Sequence, residues 1–295
     1  MIINLLKALR APFLSVSVLA YIYGAAAAYP VFDPVIFFSG MFGIVFMHSG
    51  ANLLNDYYDA LSGVDGADLT CYGFFGGSKF IQKGVFSLKQ YMLFSRICFI
   101  CSFLCAGVLY FTVKDVRIVY LAAAALLLSW GYSKSLSYAY LGELTIFLMF
   151  GPLLVLGAHF LQTGVFFDAG VFMLSIPAGL LSVGILLANE IPDYPEDKKY
   201  NKKNFITIAG PSRGALFNLA VNAAVFVILF FLIVSGELGM VSILSFGAVF
   251  PAVRAYNVQR RSFGDKTALV VSSKSVIQLH SIVLMFMIMG LIWKK

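Results

Sequence analysis

Charged side chains are scarce in this sequence: 12% of its 295 residues are Asp, Glu, Lys or Arg, against 60% hydrophobic residues and a mean hydropathy of +0.89. That balance excludes an ordinary soluble domain. Cysteine is equally thin, with four residues that rule against a disulfide scaffold: Cys98, Cys101 and Cys105 fall in one apolar stretch, and Cys71 stands apart. The Cys98–Cys101 spacing has no histidine nearby, so it reads as packing rather than as a metal site. His48, His159 and His280 are each isolated in apolar sequence and suit packing or hydrogen bonding. Low-complexity tracts are missing too.

Long apolar runs are what the chain does have. A membrane-spanning helix needs about 20 mainly apolar residues, and roughly nine stretches qualify: 11–29, 35–54, 92–112, 117–133, 141–161, 170–191, 214–235, 238–256 and 275–293. The first follows Lys7 and Arg10 like the start of a signal peptide, but no convincing cleavage site follows it, so it is expected to be the first span. The expected architecture is therefore an all-α membrane protein, a bundle of about nine transmembrane helices. A net charge of +7 could suggest nucleic acid, yet its distribution points to topology instead. With nine spans and a cytoplasmic N-terminus, all but Lys114, Arg117, Lys294 and Lys295 of the 21 basic residues fall on or near the cytoplasmic side.

Two polar segments interrupt this pattern, at about 55–91 and 193–213, each after an even-numbered span. The first opens with Asn52, Asp56 and Asp59 at i, i+4 and i+7, which places them on one helix face. Unpaired carboxylates on one stripe repel each other unless a cation shares the site. The second repeats the pattern with Asn189, Asp193 and Asp197 at i, i+4 and i+8, where Pro192 and Pro195 are expected to distort the helix. Oxygen ligands of this kind suit magnesium, which takes carboxylates together with substrate phosphate oxygens and water. Both stripes lie at helix ends on one face of the membrane, an arrangement that fits an interfacial enzyme better than a transporter, whose charges belong near mid-span.

Asn52–Asp59 (NLLNDYYD) and Asn189–Lys199 (NEIPDYPEDKK) resemble the two aspartate motifs of the UbiA superfamily of intramembrane prenyltransferases. GGSKFIQKG from Gly76 and YSKSLSYAYLGE from Tyr132 resemble the family's connecting segments, so the likeness covers nearly the whole chain as one domain, 1–295. Within the superfamily the motifs look most like 1,4-dihydroxy-2-naphthoate polyprenyltransferases of menaquinone synthesis. Departures are Phe75 in place of a small polar residue, Lys79 and Lys203 in place of arginine, and Asn201 in place of glycine.

The resemblance implies magnesium-dependent transfer of a polyprenyl group from an allylic diphosphate to an aromatic acceptor. The active site would open to the cytoplasmic face of a bacterial or archaeal cell membrane. Asn52, Asp56 and Asp59 would hold one metal and Asn189, Asp193 and Asp197 the other, with Asp65 and Glu190 behind them. Lys79, Lys134 and Lys198 would meet the diphosphate, although basic loops beside membranes also occur for topological reasons alone. Tyr57, Tyr58, Tyr132 and Tyr194 could face a carbocation, and Asp65 or Glu143 could deprotonate the acceptor. Other acceptors stay open: 4-hydroxybenzoate, homogentisate, a chlorophyllide or a glycerol phosphate lipid.

Overall fold

The computed structural model describes residues 2–64 and 68–294. A short helix α1 (Ile2–Ala8) leads into α2 (Ala11–Ala26), α3 (Pro34–Ser62), α4 (Leu88–Val113), α5 (Arg117–Lys134), α6 (Gly142–Thr163) and α7 (Ala169–Lys199). After a short α8 (Phe205–Ala209) come α9 (Pro211–Val234), α10 (Met240–Arg261) and α11 (Lys266–Ile292). No strand occurs among the described residues. Each of the nine apolar stretches lies on one long helical segment. Seven of these are long and apolar enough to cross a membrane, while α2 has 16 residues and the 18-residue α5 starts and ends on a basic residue.

Local chemistry sets the helix ends. Asp33 accepts from the backbone N–H of Val35 and Ile36 ahead of Pro34, and Asp168 and Asp265 cap α7 and α11 in the same way. Ser87 and Gln90 form a reciprocal capping box at the start of α4. Met149–Leu153 forms a π-helical turn inside α6, around Pro152.

Helix α7 is the central post, with 72% of its apolar window buried against protein, compared with 22% for α3 and for α4. Around it, buried side chains of α2, α6, α9, α10 and α11 form the largest apolar core, including Tyr21, Val155, Leu181, Leu229 and Leu284. Large apolar side chains such as Phe111, Leu127 and Phe250 point outward, which a lipid surface tolerates and water does not. Small residues let the helices approach closely. A Cβ on Gly24 would lie 2.4 Å from the Val155 carbonyl oxygen and 2.8 Å from the Ala158 Cβ. Gly24→Ala is therefore expected to force α2 from α6 and lower stability by about 1–3 kcal/mol. An unchanged unfolding midpoint in detergent would show slack at this contact.

Both polar segments differ from expectation in one respect. The two stripes stand at helix ends as expected, but α3 continues to Ser62 and α7 to Lys199, so the connecting segments begin later than residues 55 and 193. Pro192 and Pro195 lie inside continuous helix without interrupting it.

Candidate active site

The C-terminal turns of α3 and α7 come together at one end of the bundle, and the first surprise is which face of α3 they share. Asp56 is buried, and both of its oxygens are taken: Arg10 pairs with Oδ1, while Ser78 donates to Oδ2 from its backbone N–H at 3.1 Å and its hydroxyl at 2.5 Å. Asn52 donates its amide to the Leu9 carbonyl at 3.0 Å. These two residues fasten the N-terminal segment and a loop to α3. The residues of α3 that line the polar chamber are instead Asn55 and Asp59, an i, i+4 pair. Asp59 accepts from the Tyr138 hydroxyl at 2.7 Å.

The α7 stripe falls where it was expected. Asn189, Asp193 and Asp197 all line the chamber, joined by Glu190 and Glu196. The backbone N–H of Gly76 donates to Asp193 at 3.1 Å and the Asn204 amide to Asp197 at 2.8 Å. Asn204 also caps α8, which places it. The loop that carries Gly76 and Ser78 folds over the chamber through left-handed backbone at Gly76, Gly77 and Lys79 (φ 70°, 74° and 62°). Asn201, standing where the family commonly has glycine, is left-handed as well (φ 57°), a conformation asparagine tolerates better than most residues.

One cation joins the two acidic helix ends. The Lys202 ammonium lies 3.9 Å from Asp59 and 3.8 Å from Asp197. Burial by itself would lower the pKa of this lysine, but Asp59 and Asp197 outweigh it and raise the value well above the ordinary lysine range. Lys266 performs a similar bridging role at the rim, 3.1 Å from Asp68 and 2.8 Å from Glu196. Partial burial pushes Asp68 upward, yet hydrogen bonds from Thr70 and Lys266 hold its carboxyl down at about 2.

The remaining expected residues divide. Lys79 and Tyr132 line the chamber. Lys134 and Lys198 are exposed and line neither cavity at this end; Lys198 donates to the Tyr194 hydroxyl at 2.9 Å. Tyr58 packs against Met47, Leu54 and Phe99, on the side of α3 away from the chamber. Glu143 accepts from the Phe205 N–H at 2.7 Å and so caps α8. Asp65 lies outside the described residues. Residues that sequence reasoning left unassigned are Asn55, Arg10, Lys202 and Lys266; the i, i+4 relation of Asn55 to Asp59 was the one available signal.

The polar chamber has a volume of about 100 Å³ and opens onto an apolar cavity of about 270 Å³. Arg10, Asn55, Tyr132 and Asn189 line both and mark the junction. From there the apolar cavity follows α3 down to Gly40, fifteen residues or roughly 22 Å of helix. Among the described residues no three carboxylate, imidazole or thiol groups converge on one metal-sized point. The chamber nevertheless offers all-oxygen donors, and Asn189 Oδ1 and Asp197 Oδ1 are buried without a hydrogen-bond partner. That donor set fits a hard cation that completes its shell with phosphate oxygens and water.

An all-helical membrane bundle with an acidic chamber over a deep apolar cavity defines a protein that handles an amphiphile with a charged head and an apolar tail. Comparison with known families makes this specific: residues 16–287 match the UbiA prenyltransferase family, and the chain belongs to it. UbiA prenyltransferase domain-containing protein 1 of Dictyostelium discoideum is 29% identical over 211 residues, covering 66% of this chain and 61% of the relative. The Homo sapiens protein of the same name is 26% identical over 215 residues, 70% of this chain and 60% of the relative. The chain thus spans about three fifths of the length of these relatives. Both are eukaryotic, so they lend no support to a bacterial or archaeal membrane. A UbiA homolog from Archaeoglobus fulgidus bound to DMAPP and Mg2+ shares the fold, with a TM-score of 0.65 at 16% identity over 95% of this chain and 99% of that one. An apo homolog from Aeropyrum pernix K1 superposes with a TM-score of 0.66 at 17% identity, over 94% and 96% of the two chains.

Proposed function

We propose that the protein transfers a polyprenyl group from an allylic diphosphate to an aromatic acceptor in a magnesium-dependent reaction. The observation that carries this reading is the junction: a small acidic chamber for a charged head meets a long apolar cavity for a tail. Asn55, Asp59, Asn189, Asp193 and Asp197 are the residues that would hold magnesium, which neutralises the departing diphosphate when bound. Asp56 drops out of that set because both of its oxygens are committed to Arg10 and Ser78, and Asn52 because it lines the apolar cavity rather than the chamber.

The chain's own groups account for the rest. Lys79, Lys202 and Arg10 supply positive charge around the chamber, where phosphate oxygens accept strong hydrogen bonds. In the reaction the allylic C–O bond breaks with its electron pair leaving on diphosphate, a C–C bond forms to the acceptor ring, and that ring carbon loses a proton. The carbon that changes partners belongs at the junction, beside Tyr132, whose ring face suits a developing cation. The apolar walls below keep water from it. The Archaeoglobus homolog's DMAPP and Mg2+ support the donor class.

For the acceptor, the motif resemblance favours 1,4-dihydroxy-2-naphthoate, and a menaquinone-type product would place the protein in a bacterial or archaeal cell membrane. The test is purified protein in detergent with labelled prenyl diphosphate and a panel of aromatic acceptors. Transfer is expected with the naphthoate, ceasing on chelation and returning with magnesium. Absence of diphosphate release with every donor and acceptor would overturn the reading, and ion flux in proteoliposomes would point to a transporter.

A further inference from the structure

Among the described residues, six acidic side chains line the polar chamber, and the protein's own donors reach five of them. Asp59 has Tyr138, Asp68 has Thr70 and Lys266, Asp193 has Gly76, Glu196 has Lys266, and Asp197 has Asn204. Glu190 is the exception. It is 9% exposed, its Oε2 is fully buried, and among the described residues no hydrogen bond or ion pair reaches it. A buried acceptor without a donor is strongly disfavoured, so an occupant of the chamber is the natural source of the missing hydrogen.

Neither half of an allylic diphosphate supplies one: the head is anionic and accepts, and the tail is apolar. The chamber's walls describe a different molecule. Tyr72 and Phe75 stack at 4.8 Å between ring centroids with 22° between their planes, and with Tyr132 they give the chamber flat apolar faces. Glu190 also follows Asn189, a junction residue, which sets it next to the place where the new bond forms.

We infer that Glu190 anchors the acceptor, a planar hydroxylated aromatic whose O–H donates to the Glu190 carboxyl group while its ring lies along Tyr72, Phe75 and Tyr132. This rests on the prenyltransferase reading and adds a positioning residue for the second substrate. Glu190 acts by holding the hydroxyl, and the ring carbon is thereby turned toward the junction.

Two measurements on the full chain in detergent test it. Binding of 1,4-dihydroxy-2-naphthoate and of its two monomethyl ethers is compared by calorimetry, with no donor present. Methylation of one hydroxyl is expected to weaken binding to the parent protein about 3- to 10-fold, the range for a single hydrogen bond. In Glu190→Leu, which has no polar side-chain atom, that discrimination is expected to vanish. In turnover, Glu190→Leu is expected to raise the acceptor KM by a similar factor with the donor KM and the magnesium half-saturation unchanged, and Glu190→Gln, which keeps an accepting oxygen, is expected to restore much of the acceptor KM.

Equal binding of all three naphthoates by the parent protein would overturn the anchor, whatever becomes of the variants. A shift in magnesium half-saturation would overturn it in favour of a metal-holding role. Selective binding without transfer would keep the anchor and remove the prenyltransferase reading, so the two failures are separable.

Discussion

Asp197→Asn is expected to lower kcat/KM by about a thousandfold while the protein stays folded. The Asp197 carboxylate stands at the meeting of the two helix ends, 3.8 Å from Lys202, and its Oδ1 is buried without a hydrogen-bond partner. Asparagine keeps the shape and can still accept from Asn204, but it removes one of the negative charges offered to a metal–diphosphate. Metal neutralisation of a leaving group is worth several kcal/mol, and losing about 4 kcal/mol of it corresponds to about three decades in rate. Steady-state kinetics across magnesium concentrations, with size-exclusion profiles to confirm folding, would check this. Activity within threefold of the parent would remove Asp197 from the metal set. Lys198→Ala is the matched control: its side chain is exposed, and surface changes of that kind leave stability nearly unchanged.

Asp56→Ala should behave differently, as a loss of structure. Asp56 is 2% exposed and its partner Arg10 is largely enclosed, so deleting the carboxylate removes the anion that this cation pairs with and the acceptor of the Ser78 N–H. Breaking a buried pair from one side costs about 3–5 kcal/mol, whereas replacing both partners with apolar groups is often close to neutral. Unfolding in detergent is therefore expected to show a loss of about 3 kcal/mol for Asp56→Ala, most of it regained in the double variant Arg10→Met with Asp56→Leu. A stable Asp56→Ala with a raised magnesium requirement would restore Asp56 as a metal ligand.

The contrast between these two aspartates marks what could and could not be read from the sequence. Nine helical segments were legible because hydrocarbon imposes a length and a composition on each one. The α7 stripe was legible because Asn189, Asp193 and Asp197 allow a single i, i+4 alignment. On α3 two alignments compete, 52–56–59 and 55–59, and choosing between them requires the neighbours of that helix. Those neighbours, Arg10 from the N-terminal segment and Ser78 from the following loop, are 46 and 22 residues away in sequence. Basic residues were harder still. Lys134, Lys198 and Lys202 look alike beside a membrane, and only packing separates the enclosed Lys202 from the exposed pair.

Lys202 bears on when an ion is needed. Walls carrying Asp59, Asp193 and Asp197 would push the ends of α3 and α7 apart if left bare. The chain places its own ammonium between them, so the two helices dock without any visitor. Assembly and loading become separate events: the bundle can be made and inserted first, and the metal can come and go with each diphosphate.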